Sequence, residues 1–390
     1  MSNSPSHNIF RENGEPAVSG SIQRVARAVA DLVDGNAIVL VGCGSTDPDG
    51  YLVVAAENAS TSALDFMVRH TSGFICAAVT DDACARIDLP PMAGTRPTPG
   101  DDYTVAVDAA GVGTGISAKD RAWTLRQIAD PFSTPGGFTR PGHHPIRAHS
   151  DGVLGRRRSA EAVIDLMRAA GLREVGALAA LVSVVDPTGI ADSTESLAFA
   201  DAHQLNSISV QDIVNYRRST EVHVRQTFRT LRNTSCGTVE ALGYHSDVTN
   251  ADYIAYSSGD PSTLSRARVH ARFETDFAPH APSVDQAEPD ITDALDDRDG
   301  LVVIARRAND ADDAHDMEQS DRPDCFFHNR YGERIADIAQ ILRAREVLEP
   351  RLVNPPPGLF EAWSTLSNSA STAVGQTAPQ CVSPASPTRG

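Results

Sequence analysis

The chain has 390 residues and a formal net charge of −17, from 34 Lys plus Arg against 51 Asp plus Glu, and is long enough for two domains with separate cores. That acidic balance argues against nucleic acid or an anionic membrane as the main partner, because both need clustered positive potential. Six cysteines at 43, 76, 84, 236, 325 and 381 form no CxxC and no tight cluster, which argues against a structural zinc site or a secreted disulfide framework and for a reducing compartment. The polar start, MSNSPSHNIFRENGEPAVSG, has no apolar signal region, and no run approaches 18 apolar residues, so the expectation is a soluble cytoplasmic protein.

In chain order, residues 1–19 read as a disordered tail, as do 365–390, which are rich in Ser, Thr and Pro. SIQRVARAVADLVDG carries Ile22, Val25, Ala28/Val29 and Leu32 on one stripe and ends at Gly35, the pattern of an amphipathic helix. A strand follows over Ala37–Val41, and LVVAAE is a second strand. Between them lies VGCGSTDPDGY, a turn-rich segment with two carboxylates, Asp47 and Asp49. SALDFMVRH is helical, FICAAVT and YTVAVDA are strands, and AKDRAWTLRQIAD is a helix. SAEAVIDLMRAAG is a short helix that Ser159 can cap and Gly171 ends. ALAALVSVV, LAFADAHQL, SISV and VQDIVNYRRSTE continue the alternation of strand and helix to residue 220. This is an α/β pattern with the sheet covered on both sides. Beyond a boundary near 221, TVEALGYHS, DYIAYSSG and ARVHARF suggest antiparallel strands, LVVIA a buried one, and GERIADIAQILRAREV an amphipathic helix. The second domain, 221–364, is therefore expected to be α+β.

Three stretches carry a resemblance. FMVRHTSGFICAAVTDDACARIDLPPM (66–92), GVGTGISAKDRAWTLRQIADP (111–131) and TRPGHHPIRAHSDGVLGRRRSAEAVIDLMRAAGL (139–172) resemble 3,4-dihydroxy-2-butanone 4-phosphate synthase. The motifs RHxSGfIC, TGISAxDR and TRPGH occur in that order within 20–220. RVHARFETDF (268–277) and RYGERIADIAQILRAREVLEPRLVNPPPGLFEAW (330–363) more weakly resemble GTP cyclohydrolase II, the second half of a bifunctional riboflavin-biosynthesis fusion. The resemblance implies a mixed sheet covered by helices for 20–220. It also implies a Mg2+-dependent conversion of ribulose 5-phosphate to a four-carbon phosphate and formate, a Zn2+-dependent second activity, and a homodimer formed through the first domain.

The family's functional positions are largely substituted. Its metal-binding glutamate falls on Asp47, its arginine on Thr46, its second glutamate on Asp49 and its last aspartate on Tyr51. The second metal ligand, a histidine, falls on Ser159, and the catalytic glutamate on Ala180. A hydroxyl is a poor ligand for a hard dication and a methyl moves no proton. Asp-Pro-Asp-Gly is also good turn chemistry in its own right. The anion-handling frame persists: Arg156 falls on a phosphate-binding arginine, His143 on the RPGH histidine and Thr114 on a threonine of the TGIS turn. Each has a plainer reading as well, Arg156–Arg158 as a solvated turn and His143 as the pin of a proline-rich loop. In the second half Phe273 stands where the first zinc cysteine is expected, no cysteine occurs between 237 and 324, and His270, His280 and His315 lack paired spacing.

The expectation is a riboflavin-family homologue that has lost metal-dependent catalysis and acts as a binding or regulatory paralogue. Its partners would be a sugar phosphate or pathway metabolite, a second copy, or an active relative. The alternatives are an active divergent synthase that holds Mg2+ on Asp47 and Asp49, or a changed sugar-phosphate enzyme.

Overall fold

The computed structural model describes residues 17–42, 50–92, 102–234, 237–258, 268–273, 300–305, 323–347, 351–352, 359 and 362–363. Asp47, Asp49, His280, His315 and the tail 365–390 lie outside them. The chain divides into two compact units, Met1–Arg217 and Arg218–Gly390.

The first unit runs α1 (Ala17–Val33), β1 (Ile38–Val41), β2 (Gly50–Ala55), α2 (Thr61–His70), β3 (Cys76–Val79), α3 (Asp81–Ile87), β4 (Asp102–Tyr103), β5 (Val107–Ala109), α4 (Ala118–Ala129), β6 (Phe138–Arg147), α5 (Ser159–Ala169), β7 (Val175–Ala180), α6 (Ser193–His203), β8 (Ser207–Ser209) and α7 (Val210–Thr220). The sheet order is β4-β6-β3-β7-β2-β1-β8, with β5 paired to β6. β3–β6 and β1–β8 are parallel, whereas β1–β2, β2–β7 and β3–β7 are antiparallel, so the sheet is mixed.

Alternate residues of the central strands feed two cores. Val39, Leu52, Val54, Ala77 and Ala177 pack with α2, α3 and α4 through Leu64, Met67, Ile87 and Leu125. Ile38, Leu40, Val53, Ala78 and Leu178 pack on the other face with α1, α5 and α7 through Leu32, Leu166 and Val214. Strands buried on both faces read as continuous apolar runs, and AIVLV is one. The expected α/β architecture with helices on both faces is the one present.

Local differences have physical causes. α1 starts at Ala17, inside the stretch assigned to the tail. The helix TDDACARI, missed in the sequence, is short but capped: the Thr80 hydroxyl accepts from Ala83 N. β6 lies where the plainer reading of His143 expects a proline-rich loop, because Pro141 and Pro145 demote a strand signal. The Pro145 carbonyl nevertheless accepts from Thr104 N at 3.0 Å. YTVAVDA splits into β4 and β5, which pair with different parts of β6. The strand within ALAALVSVV ends at Ala180, although the Leu181 N–H still donates to Gly50 O of β2 at 2.8 Å. The N-cap of α5 is Arg158, with no side-chain cap bond, so Ser159 is the first helical residue and not the cap.

The second unit holds β9 (Val224–Thr234), β10 (Gly237–Ser246), β11 (Ala251–Ser257), β12 (Arg268–Phe273), β13 (Gly300–Ala305), α8 (Pro323–Ala344) and β14 (Arg351–Leu352). Its sheet order is β14-β12-β13-β11-β10-β9. Leu242, Tyr253, Ala255, Val269 and Leu301 form a core with Ile335, Ile338, Ile341 and Leu342 of α8, an α+β arrangement. ARVHARF is not antiparallel: β12 pairs parallel with both β13 and β14. Among the described residues no helix is long and apolar enough to cross a membrane.

Candidate functional site

The register of β2 against β7 sets Tyr51 directly opposite Ala180. One strand further, Cys76 of β3 stands opposite Leu178 of β7. α5 begins beside this row, and Ser159, Tyr51, Ala180, Ser72, Phe74, Cys76 and Tyr103 help to line one cavity of about 190 Å³. Three positions that the sequence motifs assign to catalysis or metal binding, 51, 159 and 180, are thus brought to a single site. What they bring is a phenol, an alcohol and a methyl group. Asp47 and Asp49 are not part of this description.

Magnesium takes hard oxygen ligands, carboxylates first, in a near-octahedral shell. Among the described lining residues of this cavity there is no carboxylate and no imidazole. Among the described residues as a whole, no group of three or more His, Cys, Asp or Glu side chains is placed to hold a metal. Tyr51, Ser159 and Ala180 supply no such ligand to this wall, and Asp47 and Asp49 lie outside the described residues.

A second cavity of about 220 Å³ shares the Phe74 wall and is lined by Thr114, His143, Asp108, Arg121 and His144 among others. Here the chemistry is polar and ordered. His143 is 6% exposed. Its Nδ1 lies 2.6 Å from Asp108 Oδ1, and its backbone N–H donates to the same oxygen at 3.3 Å. Its Nε2 is buried and has no partner. Burial lowers the His143 pKa, an effect that the adjacent Asp108 carboxylate opposes without overcoming. The imidazole is therefore neutral at pH 7, with its proton assigned to Nδ1, facing Asp108, and a lone pair on Nε2. Glycines make the contact possible. A Cβ at Gly115 (φ +70°) would sit 1.9 Å from Asp108 Oδ2, and one at Gly142 would sit 2.3 Å from the Val107 carbonyl carbon. The glycines of TGIS and RPGH are spacers for the Asp108 carboxylate. Arg121 braces the same region, donating from Nε to Ile116 O at 2.9 Å and from Nη1 to Gly73 O at 3.1 Å.

Arg156 lines neither cavity. Its Nε and Nη2 reach Glu161 Oε1 at 2.7 and 2.6 Å, and Nη2 donates to the Arg147 carbonyl at 2.9 Å. Glu161 is fully buried and also accepts from His149 N, so Arg156 is committed to compensating a buried charge. Asp108, Cys76 and Phe74 escaped the sequence reading. Cys76 and Phe74 lie inside RHxSGfIC, but Asp108 has only the faint signal of an acid at the end of an apolar strand.

The profile of 3,4-dihydroxy-2-butanone 4-phosphate synthase matches residues 26–216. The chain is 41% identical over 242 residues to riboflavin biosynthesis protein RibBA of Mycolicibacterium gilvum, covering 61% of this chain and 57% of that protein. It is 43% identical over 239 residues to RibBA of Rhodococcus erythropolis, covering 60% and 56%, so the matched part spans little more than half the length of these relatives. In fold it resembles RibBX, a two-domain 3,4-dihydroxy-2-butanone 4-phosphate synthase from A. baumannii, with a TM-score of 0.70 and 24% identity over 93% of this chain and 100% of that one. With its motifs and its mixed sheet in agreement, residues 26–216 of the chain carry a 3,4-dihydroxy-2-butanone 4-phosphate synthase family domain.

Proposed function

We propose that this chain is a riboflavin-pathway paralogue that no longer performs the family's metal-dependent rearrangement and acts by binding. One observation carries the reading: Tyr51, Ser159 and Ala180, on the family's carboxylate, imidazole and carboxylate positions, line one cavity and offer it no anionic ligand. Losing several members of one catalytic unit is not offset by those that stay, because such groups act together. The ligand on this reading is a sugar phosphate or a related pathway metabolite, met by Thr114, His143 and Arg121 in the neighbouring cavity. The partner is a second copy or an active relative. Residues 221–364, whose motifs resemble GTP cyclohydrolase II, are on the same reading without zinc chemistry, as Phe273 replaces the first thiolate.

The test is direct. Purified full-length chain with ribulose 5-phosphate and Mg2+ should release no formate above the uncatalysed rate, while an active relative assayed alongside does. Formate at an ordinary enzymatic rate, on the order of 1 s⁻¹, overturns the reading. A second reading, a changed sugar-phosphate enzyme, is favoured by one feature: the unpartnered Nε2 of neutral His143 is a competent proton acceptor. Turnover of another phosphorylated ketose, lost in His143→Ala, would establish it.

A further inference from the structure

The ends of α2 and α6 bring four rings together. Phe66 and His70 come from α2, Phe199 and His203 from α6. Each pair is four residues apart, so each helix sets its phenyl and its imidazole on one face. The ring centroids of Phe66 and His70 are 4.5 Å apart, and those of Phe199 and His203 are 4.2 Å apart. Between the helices, His70 meets Phe199 and His203 meets Phe66, each at 5.4 Å. The two imidazoles themselves stand 4.8 Å apart, with 62° between their planes. Each imidazole is thus packed against both phenyl rings. His203 is exposed and His70 half-buried, so the pair is open to solute. Among the described residues neither imidazole has a hydrogen bond or an ion pair.

Each imidazole is also the last residue of its helix, where free carbonyls and the aligned peptide dipoles favour a cation. The negative ends of two helices therefore meet at this spot. Arg69 is the nearest opposing charge, and Asp65 holds it at 3.0 Å. Imidazole nitrogen suits Zn2+, Cu2+ and Ni2+, whereas Mg2+ takes oxygen ligands. Two imidazoles on one ion, with metal–nitrogen bonds of about 2.0–2.1 Å at about 90–110°, have centroids about 4.5–5.2 Å apart. The observed 4.8 Å falls inside that range. We propose that His70 and His203 form a two-imidazole site for a borderline dication of the Zn2+ class, which clips the end of α2 to the end of α6. Water completes the shell, so the ion exchanges with solution. The clip restrains the surroundings of the first cavity. Ser72, two residues past His70, donates its N–H to Ala180 O at 2.9 Å. Glu195 of α6 accepts from Ser183 Oγ at 2.9 Å and from the N–H groups of Val184 and Val185 at 3.0 Å. The site stands whether or not the family reaction is lost.

The experiment titrates the chelator-treated full-length chain with Zn2+, read by calorimetry and thermal melts, and with Cu2+, read by pulsed EPR. Zn2+ should bind and raise the melting temperature, and Mg2+ at the same concentration should do neither. Cu2+ should bind more tightly than Zn2+, as the Irving–Williams order requires, and the first equivalent should show two coupled imidazoles. His203→Phe, at an exposed position, keeps a ring but no ligand nitrogen. It should weaken Zn2+ by at least about tenfold, the least that loss of even an outer-shell partner costs, and leave one coupled imidazole. His70→Phe should do the same. Circular dichroism establishes that each variant folds, and if one does not, the other decides. Zn2+ affinity unchanged in the folded variant, a single imidazole on the first Cu2+ of the wild type, or no rise in melting temperature with Zn2+ overturns the proposal. None of these readouts involves formate release, so this proposal and the loss of catalysis fail separately.

Discussion

Asp108 and His143 form a buried pair in which one carboxylate oxygen takes both the imidazole Nδ1 at 2.6 Å and the backbone N–H of the same residue at 3.3 Å. The residues lie 35 apart in sequence. A register shift between Val107 and Asp108 in the β5–β6 ladder brings them together. Their double contact fixes the ring orientation and leaves Nε2 buried without a hydrogen-bond partner.

The first prediction concerns the pH behaviour of this pair. The His143 pKa is lowered, by burial first and by the nearby Arg121 and His144 charges, against the raising influence of Asp108. Below the unfolded value of about 6.5 the unfolded chain binds a proton that the folded chain refuses. Stability from this site is therefore complete above about pH 6.5 and falls as pH drops towards the folded pKa. Asp108→Asn removes the raising influence, steepens that acid-side loss and costs about 1–3 kcal/mol at pH 7 for the charge-assisted bond. Long-range ¹H–¹⁵N NMR should find the wild-type proton on Nδ1 and a mixture of tautomers in the variant. A wild-type ring protonated on Nε2 would contradict the assignment.

A second prediction follows from the spacing glycines. Gly142→Ala has no room, as its new methyl meets the backbone of Val107 and Asp108 at 2.3–2.4 Å. Strand β6 must move from β5, at a cost of about 2–4 kcal/mol. Gly136→Ala, where nothing lies within 4 Å, is the control and should unfold at the wild-type urea concentration to within about 0.5 kcal/mol.

These particulars show where sequence reading works and where it stops. The helices at 22–32 and 159–171 were legible because Val25, Ala28 and Leu32, or Val163 and Leu166, recur at helical spacing and are buried as that spacing implies. The buried strand at 38–41 was legible from an uninterrupted apolar run. β6 was not, because its two prolines carry the opposite local signal and the strand is held by partners distant in sequence. The meeting of Tyr51, Ser159 and Ala180 was legible only through motif resemblance, since no periodicity links Tyr51 to positions more than 100 residues away. The Asp108–His143 pair lacked even that support: it depends on a bulge, and bulges leave little trace in composition. Ser159 was misplaced by one residue, because a serine before an apolar helix suits the N-cap and the first turn alike.

Asp212 offers a third test, outside the described lining of both cavities. It ties α1 to α7: Ser21 Oγ donates to it at 2.8 Å, Arg24 Nη2 at 2.6 Å and Ser209 Oγ at 2.8 Å. Burial alone would raise its pKa, but donation from Arg24, Ser209 and Ser21 outweighs burial and lowers it. A carboxylate with a depressed pKa contributes stability that is present above its unfolded value near 3.9 and is lost as pH falls through the folded one. Asp212→Ala should therefore destabilise by about 2–3 kcal/mol at pH 7, a figure discounted for the partly exposed Arg24, and by less at pH 3, below the unfolded value. Urea unfolding at the two pH values measures the difference. An equal loss at both would show that the carboxylate charge plays no part.

The last prediction has the opposite sign and lies in the second unit. Asp337 on α8 is 4% exposed and accepts from Thr249 Oγ1 at 2.6 Å and Tyr253 OH at 2.8 Å, both on the same oxygen. Burial raises its pKa against the lowering effect of Thr249, Ser246 and Tyr253. A group whose folded pKa is raised favours folding below the unfolded value and loses that contribution as pH climbs through the folded one. Asp337→Asn keeps the shape and an acceptor for both hydroxyls but cannot ionise. The variant should match the wild type near pH 4 and exceed it by about 1 kcal/mol above the folded pKa, where the wild type must carry a buried charge. Trp363, buried in the same core, reports on this unit once Trp123→Phe has silenced the other tryptophan. If the two proteins unfold in parallel from pH 4 to pH 8, Asp337 keeps one protonation state throughout and the assigned direction of its shift is wrong.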